Sequence, residues 1–486
     1  MFEKGRNRYL IIFYCFVLTA LILDVSLVRR SFSAANVGGV ICILFVVLGV
    51  FFLRSESVRG VANQNLKISS LFLVAFLIVH FQYYFDLALD PSLLAVFTRK
   101  ISDPDTLIRS AMISLIGLVC FFIGYLSKHI VVNRNKRLKK LNNMFFLTVL
   151  CVFSFMFFLV TLDLQAFLFN DGSETDSVSY YAMMLLEVSL IASLLSHSYN
   201  LSHQNIKVKF STYVTTLGLG INLILSIYLT LIMLSGDRGA IISFAVVYIY
   251  AFAVASKKNI SKRVLLFAVS IGVFVVIQLG VIRSLSKELS FVDRARVVLA
   301  QSSRFEYTSV LPFTQELASS ARCLNLAVYN VPNSNTFFYG RLQIQQIISA
   351  IPFAGFLNPM IFDNTPQYQG STYYVSWLYQ GELNGFNGIG STCIADFYLD
   401  FGVIGVALGM LIFGYFLRLL DVYSYLRHGN ILIFCFSFCY AFFVIGIARQ
   451  SVLMPLKYVI LLYIIMKVSS ITLFPKVVLS KYSKHE

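Results

Sequence analysis

Residues 283–306 read RSLSKELSFVDRARVVLAQSSRFE, and residues 363–391 read DNTPQYQGSTYYVSWLYQGELNGFNGIGS. Neither holds the run of about 20 apolar residues that a helix needs to cross a hydrocarbon core. They bound a polar interruption, 283–391, in a chain that elsewhere is one apolar run after another. Loops beyond about 12–15 residues are uncommon and usually functional. Any chemistry is therefore expected in this segment and in the helix ends that face it.

The composition sets the class. Hydrophobic residues make up 58% of the 486-residue chain and charged residues only 13%, against roughly 45–50% and about 25% in soluble domains. This is the composition of a polytopic membrane protein. The net charge is +16, but the basic residues lie in the short breaks between apolar runs and form no cluster of the kind nucleic-acid binding requires. Six of the eight cysteines fall within apolar runs and no C-x-x-C pair occurs, so neither a metal site nor a disulfide framework is expected. Cys323 and Cys393 are the two in extramembrane or boundary positions. The first apolar run has no small-residue cleavage site after it and reads as a retained helix.

Twelve candidate spans follow in order: 9–28, 36–53, 68–88, 107–127, 143–163, 178–198, 211–234, 239–256, 263–283, 392–418, 430–448 and 452–472. The charges in the breaks alternate. One side holds Lys4, Arg6 and Arg8, then Arg54 and Arg59, then Lys128 to Lys140, then Lys257, Lys258, Lys262 and Arg263. The other side has Asp163, Asp171, Glu174 and Asp176 in a break without Lys or Arg. By the positive-inside rule both termini face the cytoplasm and 283–391 faces outward. The expected fold is an all-α polytopic membrane protein of about twelve helices. Residues 1–282 form helices one to nine, 283–391 a large outer loop, and 392–486 the last three helices and a tail. Within the loop, 289–299, 313–328 and 338–351 have apolar residues at helical spacing, while the Gly-, Asn-, Gln- and Tyr-rich 363–390 reads as irregular.

Four places stand out chemically. Ser235-Gly236-Asp237-Arg238-Gly239 joins two spans by almost nothing, which leaves Arg238 near the interface; a charge at that depth is costly unless paired or facing a polar cavity. Arg449, in Gly446-Ile447-Ala448-Arg449-Gln450, sits at the same face, against the positive-inside bias. Arg304, beside Glu306, is the strongest of a mixed cluster with Arg283, Arg294, Arg296, Arg322 and Arg341. For Arg294 and Arg296 a solvated face is the simpler account. The fourth is Gly388-Ile-Gly390-Ser391-Thr392 followed by Asp396-Phe-Tyr398-Leu-Asp400-Phe-Gly402, where Asp396 and Asp400 share a helix face. Two carboxylates entering a membrane helix need a cation partner or a shifted pKa, although Asp is also simply favoured at helix N-termini. Arginine pairs bidentately with phosphate and keeps its charge at any pH, so Arg238, Arg304 and Arg449 together would form a pyrophosphate clamp. Glu187, His80 and Asp24 are isolated polar groups within spans, where a paired structural role is the plain reading. The segment 283–391 contains no histidine and no D-x-D, and no Gly-rich nucleotide loop occurs; neither nucleotide-sugar nor metal-dependent chemistry is indicated.

Taken together these motifs resemble the Wzy-type oligosaccharide repeat-unit polymerases of O-antigen, capsule and related pathways. The resemblance rests on an ordered set over about 235–450: the G-x-R turn at Arg238, Arg304 with Glu306, the proline-aromatic stretch IPFAGFLNP (351–359), the Gly-Ser-Thr…Asp-x-Tyr-x-x-Phe-Gly-x-x-Gly run from Gly390 to Gly405, and Ala448-Arg449. Family members often carry a basic residue after the proline stretch; here Met360-Ile361-Phe362 follows. The resemblance implies a glycosyltransferase of the bacterial cytoplasmic (inner) membrane that needs no metal or cofactor. Its substrates would be glycans on undecaprenyl pyrophosphate. A sugar hydroxyl of one lipid-linked unit would attack the anomeric carbon of the growing chain and displace the lipid pyrophosphate, building lipopolysaccharide O-antigen or capsule. Arg238, Arg304 and Arg449 would bind the pyrophosphate. Asp396, or else Asp237, would be the base. Tyr373, Tyr374, Trp377 and Tyr398 would contact the acceptor. Membrane lipids surround such a protein, and a chain-length regulator and a flippase are its natural protein partners; nucleic acid is not one. An O-antigen ligase is the nearest alternative, but that related family uses a loop histidine absent here. A lipid-linked oligosaccharide flippase is the other, and it would bury charge deep in several spans.

Overall fold

A computed structural model describes residues 2–28, 30–53, 66–98, 100–127, 141, 143–163, 177–203, 208–235, 239–256, 309–311, 314–352, 354–363, 365–381, 388–426 and 430–470. Among these the chain is helical, with no strand. The long helices are α1 (Phe2–Leu27), α2 (Ala34–Phe52), α3 (Ile68–Leu89, with a π-helical turn at Ile78–Gln82), α4 (Asp105–Ser127), α5 (Met144–Thr161) and α6 (Ser177–His203). The bent pair α7 (Phe210–Leu217) and α8 (Leu219–Ser235) and then α9 (Gly239–Ser256) complete the first part. After the polar interruption come α10 (Ala321–Asn330), α11 (Arg341–Ala350) and α12 (Ser371–Gln380), then α13 (Cys393–Leu426), α14 (Ile431–Phe442), α15 (Val444–Arg449) and α16 (Leu456–Ser470).

Eight helices among the described residues are long and apolar enough to cross a membrane, or nine if α7 and α8 count as one span. The other expected spans have specific fates. Residues 263–283 lie outside the described residues. The seventh span is not straight: α7 and α8 meet at 95° across Gly218, whose φ of 102° suits glycine. The eleventh is broken at Phe443, and α16, at 15 residues, is shorter than a spanning helix. The stretch 289–299 also lies outside the described residues. Residues 363–390, expected to be irregular, contain α12. Glycines with positive φ bracket it, Gly370 (149°) and Gly381 (83°), and burial of Tyr374 and Val375 stabilises a helix that composition alone disfavours.

Helix α4 is the axis of the bundle: 94% of its apolar window is buried, against 11% for α1. Elsewhere large apolar side chains such as Phe16, Val160 and Leu219 stand more than 70% exposed, as they do where lipid is the solvent. α4 packs on α13 through glycines. A Cβ added at Gly124 would lie 1.9 Å from the Leu411 carbonyl oxygen, and one at Gly414 would lie 2.1 Å from that of Phe121. Small residues let backbones approach this closely, and dispersion between the flanking side chains then holds the pair. Phe51 stacks on Phe122 at 3.9 Å beside this contact.

Helix α13 is interrupted at Phe401 (φ −141°, ψ 22°) and Gly402 (φ 61°, ψ −146°). The break frees carbonyls that an apolar interior would leave unsatisfied. Phe338 N–H and Tyr339 N–H, just before α11, donate to Leu399 O and Asp400 O at 2.9 Å each. The interrupted span is thus sealed by the polar segment itself. The start of the described part of that segment is pinned to α3. Ser309 Oγ donates to Asp86 Oδ2 at 2.6 Å, Val310 N–H to Asp86 Oδ1 at 3.1 Å, and Thr314 Oγ1 to Gln82 Oε1 at 2.6 Å. Tyr84 OH donates to Asn325 Oδ1 at 2.6 Å. At the opposite end of the bundle, Asp421 accepts from Ile68 N–H at 2.9 Å and from Tyr125 OH at 3.0 Å, capping the start of α3.

Candidate functional site

The run from Gly390 to Gly405 forms the start of α13. Thr392 Oγ1 accepts from Ala395 N–H at 3.1 Å and caps the helix. One turn later the two carboxylates point at α11. Asp400 accepts the backbone N–H groups of Leu342 and Gln343 at 3.1 Å each, which caps the N-terminus of α11 from another helix. Asp396 is fully buried. It receives Gln343 Nε2 at 2.7 Å and Gln346 Nε2 at 3.0 and 3.1 Å, and the hydroxyls of Ser371 and Ser451 reach the same carboxylate. The shared face therefore serves two tasks: Asp400 docks α11, and Asp396 is held by neutral donors from α11, α12 and the turn before α16.

None of those four donors was singled out in the sequence. A signal existed: Gln343 and Gln346 are three apart on an amphipathic stretch and so share a face. Ser371 and Ser451 carried none, because only the tertiary fold brings their turns to α13.

Arg449 closes α15, two residues before Ser451. Its guanidinium is half exposed and lies 3.8 Å from Glu316 Oε1, itself half exposed, a loose pair of small energetic weight. Behind this turn lies His80, on the π-helical turn of α3. It is buried against the Ala448 backbone, and Cys393 Sγ is 3.8 Å from its Nε2. π-turns inside helices recur at functional sites. Asp237, Arg238 and Arg304 lie outside the described residues.

The aromatic candidates divide. Tyr398 is buried and its hydroxyl donates to Val331 O at 2.9 Å, tying α13 to the end of α10. Tyr374 is buried edge-on to Phe338, with ring centroids 4.7 Å apart, and burial pushes its hydroxyl up to about 12. Both rings are engaged by protein. Tyr373 is 39% exposed and Trp377 is partly exposed, so these two have surface to offer. Cys323 and Cys393 are both free, buried thiols; burial pushes Cys323 up to about 12, far from thiolate reactivity.

Of the isolated polar groups, Glu187 accepts from Tyr228 OH at 2.6 Å and Tyr458 OH at 2.5 Å. Asp24 holds Arg30 at 2.7 Å. Both are structural pairings.

Arg341 packs against the segment that follows the proline stretch. Its guanidinium lies over Phe362 and Tyr368, 5.4 and 5.2 Å from the ring centroids, and Nη2 donates to Asp363 O at 2.7 Å. Asn358 meanwhile donates to Ser349 Oγ at 2.7 Å. Cation–π contact and a charged hydrogen bond together amount to about 2–3 kcal/mol of local stability. Arg341→Ala is expected to raise the rate of limited proteolysis within 354–368 several-fold while the helical bundle stays protected. Unchanged cleavage there refutes the clasp.

The molecule is thus a polytopic helical membrane protein with a recessed polar site where an interrupted span meets short helices. The family model for O-antigen polysaccharide polymerase Wzy matches residues 9–481, and the chain belongs to that family. Membership places it among membrane proteins of O-antigen repeat-unit polymerisation, a glycosyltransferase-like reaction on lipid-linked glycans. No curated protein and no solved structure matches the chain.

Proposed function

We propose that the chain polymerises undecaprenyl-pyrophosphate-linked repeat units on the outer face of the cytoplasmic membrane, transferring the growing glycan to each new unit. The observation that carries this reading is the meeting of the Asp396 carboxylate with the turn that bears Arg449, in a chain matched to the polymerase family over residues 9–481. Both termini would be cytoplasmic and 283–391 outside, a placement that the basic breaks support.

The reaction would run as a displacement. An acceptor hydroxyl oxygen bonds to the anomeric carbon while the bond from that carbon to the pyrophosphate oxygen breaks. The hydroxyl proton passes to a carboxylate, Asp396 first and Asp237 second. The negative charge that develops on the leaving pyrophosphate is stabilised by Arg238, Arg304 and Arg449. Among the described residues, glutamine amides and serine hydroxyls orient the Asp396 carboxylate. Tyr373 and Trp377 would give stacking faces to the acceptor sugars.

Arg449→Ala is expected to lower polymer formation about 10²–10³-fold, the cost of removing one donor to a developing charge. In the producing strain the ladder of surface polysaccharide should collapse to single repeat units. A block before any unit reaches the surface would instead favour a flippase, and a normal ladder would remove Arg449 from the site.

A further inference from the structure

Between the end of α1, the start of α4 and α10 lies a cavity of about 600 Å³, within the roughly 300–1,000 Å³ of ligand-sized pockets. Its polar lining includes Arg30, Arg109, Asp103, Asp105, Thr106 and Asn333, none of which is among the groups that hold Asp396. Much of that polarity is already oriented by the fold. Arg30 is forked onto Asp24 through Nε and Nη2. Asp105 Oδ1 accepts Phe32 N–H at 2.6 Å, and Asn333 Nδ2 donates to Tyr329 O at 2.9 Å. Oδ2 of Asp105 and Oδ1 of Asn333 are not used by these two bonds, and either atom can accept. The Arg109 guanidinium, exposed on the first turns of α4, has no hydrogen-bond or ion-pair partner among the described residues.

The balance of this lining selects its ligand. Among the described residues two guanidiniums face two carboxylates, so this lining carries no excess positive charge to hold a polyanion. Planar guanidinium donors, one of them held by Asp24, stand beside carboxylate and amide acceptors. Sugar hydroxyls both donate and accept, and neighbouring pairs match such forked side chains. We infer that the cavity is a glycan subsite, binding sugars of the lipid-linked oligosaccharide away from the bond being made. This rests on the polymerase reading above. The cavity wall is tied to the Asp396 helix: Tyr398, two residues from Asp396, donates to Val331 O, two residues from Asn333. Binding energy gathered here would position the reacting sugar at Asp396.

The test uses full-length protein in phospholipid nanodiscs. The probe is the producing strain's own repeat-unit oligosaccharide, freed from its lipid by mild acid and labelled at the reducing end. Arg109 and Asn333 are both exposed, so substitution spares the core, and an unchanged thermal melting temperature checks this. Arg109→Ala and Asn333→Ala are each expected to weaken probe binding about tenfold and to shorten the polymer ladder in cells. Equal binding by wild type and both variants overturns the subsite, as does absence of probe binding to a wild-type protein that still polymerises. A wild-type chain that makes no polymer at all sinks the polymerase reading, and the subsite with it.

Discussion

Asp396→Asn is expected to abolish polymer formation and leave the fold intact. The substitution keeps size and shape, and the side-chain amides of Gln343 and Gln346 can rotate to offer oxygen to the new NH₂. What disappears is the proton acceptor, a loss of about 10²–10⁴-fold. The readout is the surface polysaccharide ladder, with the melting temperature of purified protein as the check on folding. Asp400→Asn makes the informative contrast. Asp400 caps the backbone of α11, and its amide would set an NH₂ against a backbone N–H. About 1 kcal/mol of docking energy should go, with the ladder shortened but present. A normal ladder from the Asp396 variant would end its role as base.

Gly124→Ala and Gly414→Ala are expected to remove most of the folded protein. Each new methyl would sit about 2 Å from a backbone carbonyl oxygen of the facing helix, and no side-chain rotation relieves that. Overpacking costs about 1–3 kcal/mol even where side chains can move, from a total of about 5–15. Here α4 and α13 must separate along the axis of the bundle, so the yield of monodisperse protein should fall several-fold and its melting temperature should drop. Gly38→Ala in α2 is the control, with nothing within 4 Å of its added Cβ. Equal yields for the three variants would refute the close α4–α13 contact.

Much of the fold was legible along the chain because solvent demands it. A segment crossing lipid must satisfy its backbone within itself and turn apolar side chains outward, and both demands are written locally. The departures have local physical causes too: the positive φ at Gly218 bends the seventh span, and the break at Phe443 divides the eleventh. The helix at Ser371–Gln380 was hidden because its stability comes from burying Tyr374 and Val375, a long-range effect.

The sequence by itself determined the membrane class and the ordered motif set, since each depends on composition or on spacing along the chain. Only the tertiary structure decided what surrounds them. It gave Asp396 and Asp400 different hydrogen-bond partners, supplied Gln343, Gln346, Ser371 and Ser451 as donors, tied Tyr398 to Val331, and opened the cavity beside Arg109. Such contacts join residues tens to hundreds of positions apart. They are set by how closely glycine-lined helices pack and by where an interrupted span must find partners for its freed carbonyls, and neither is expressed in local periodicity.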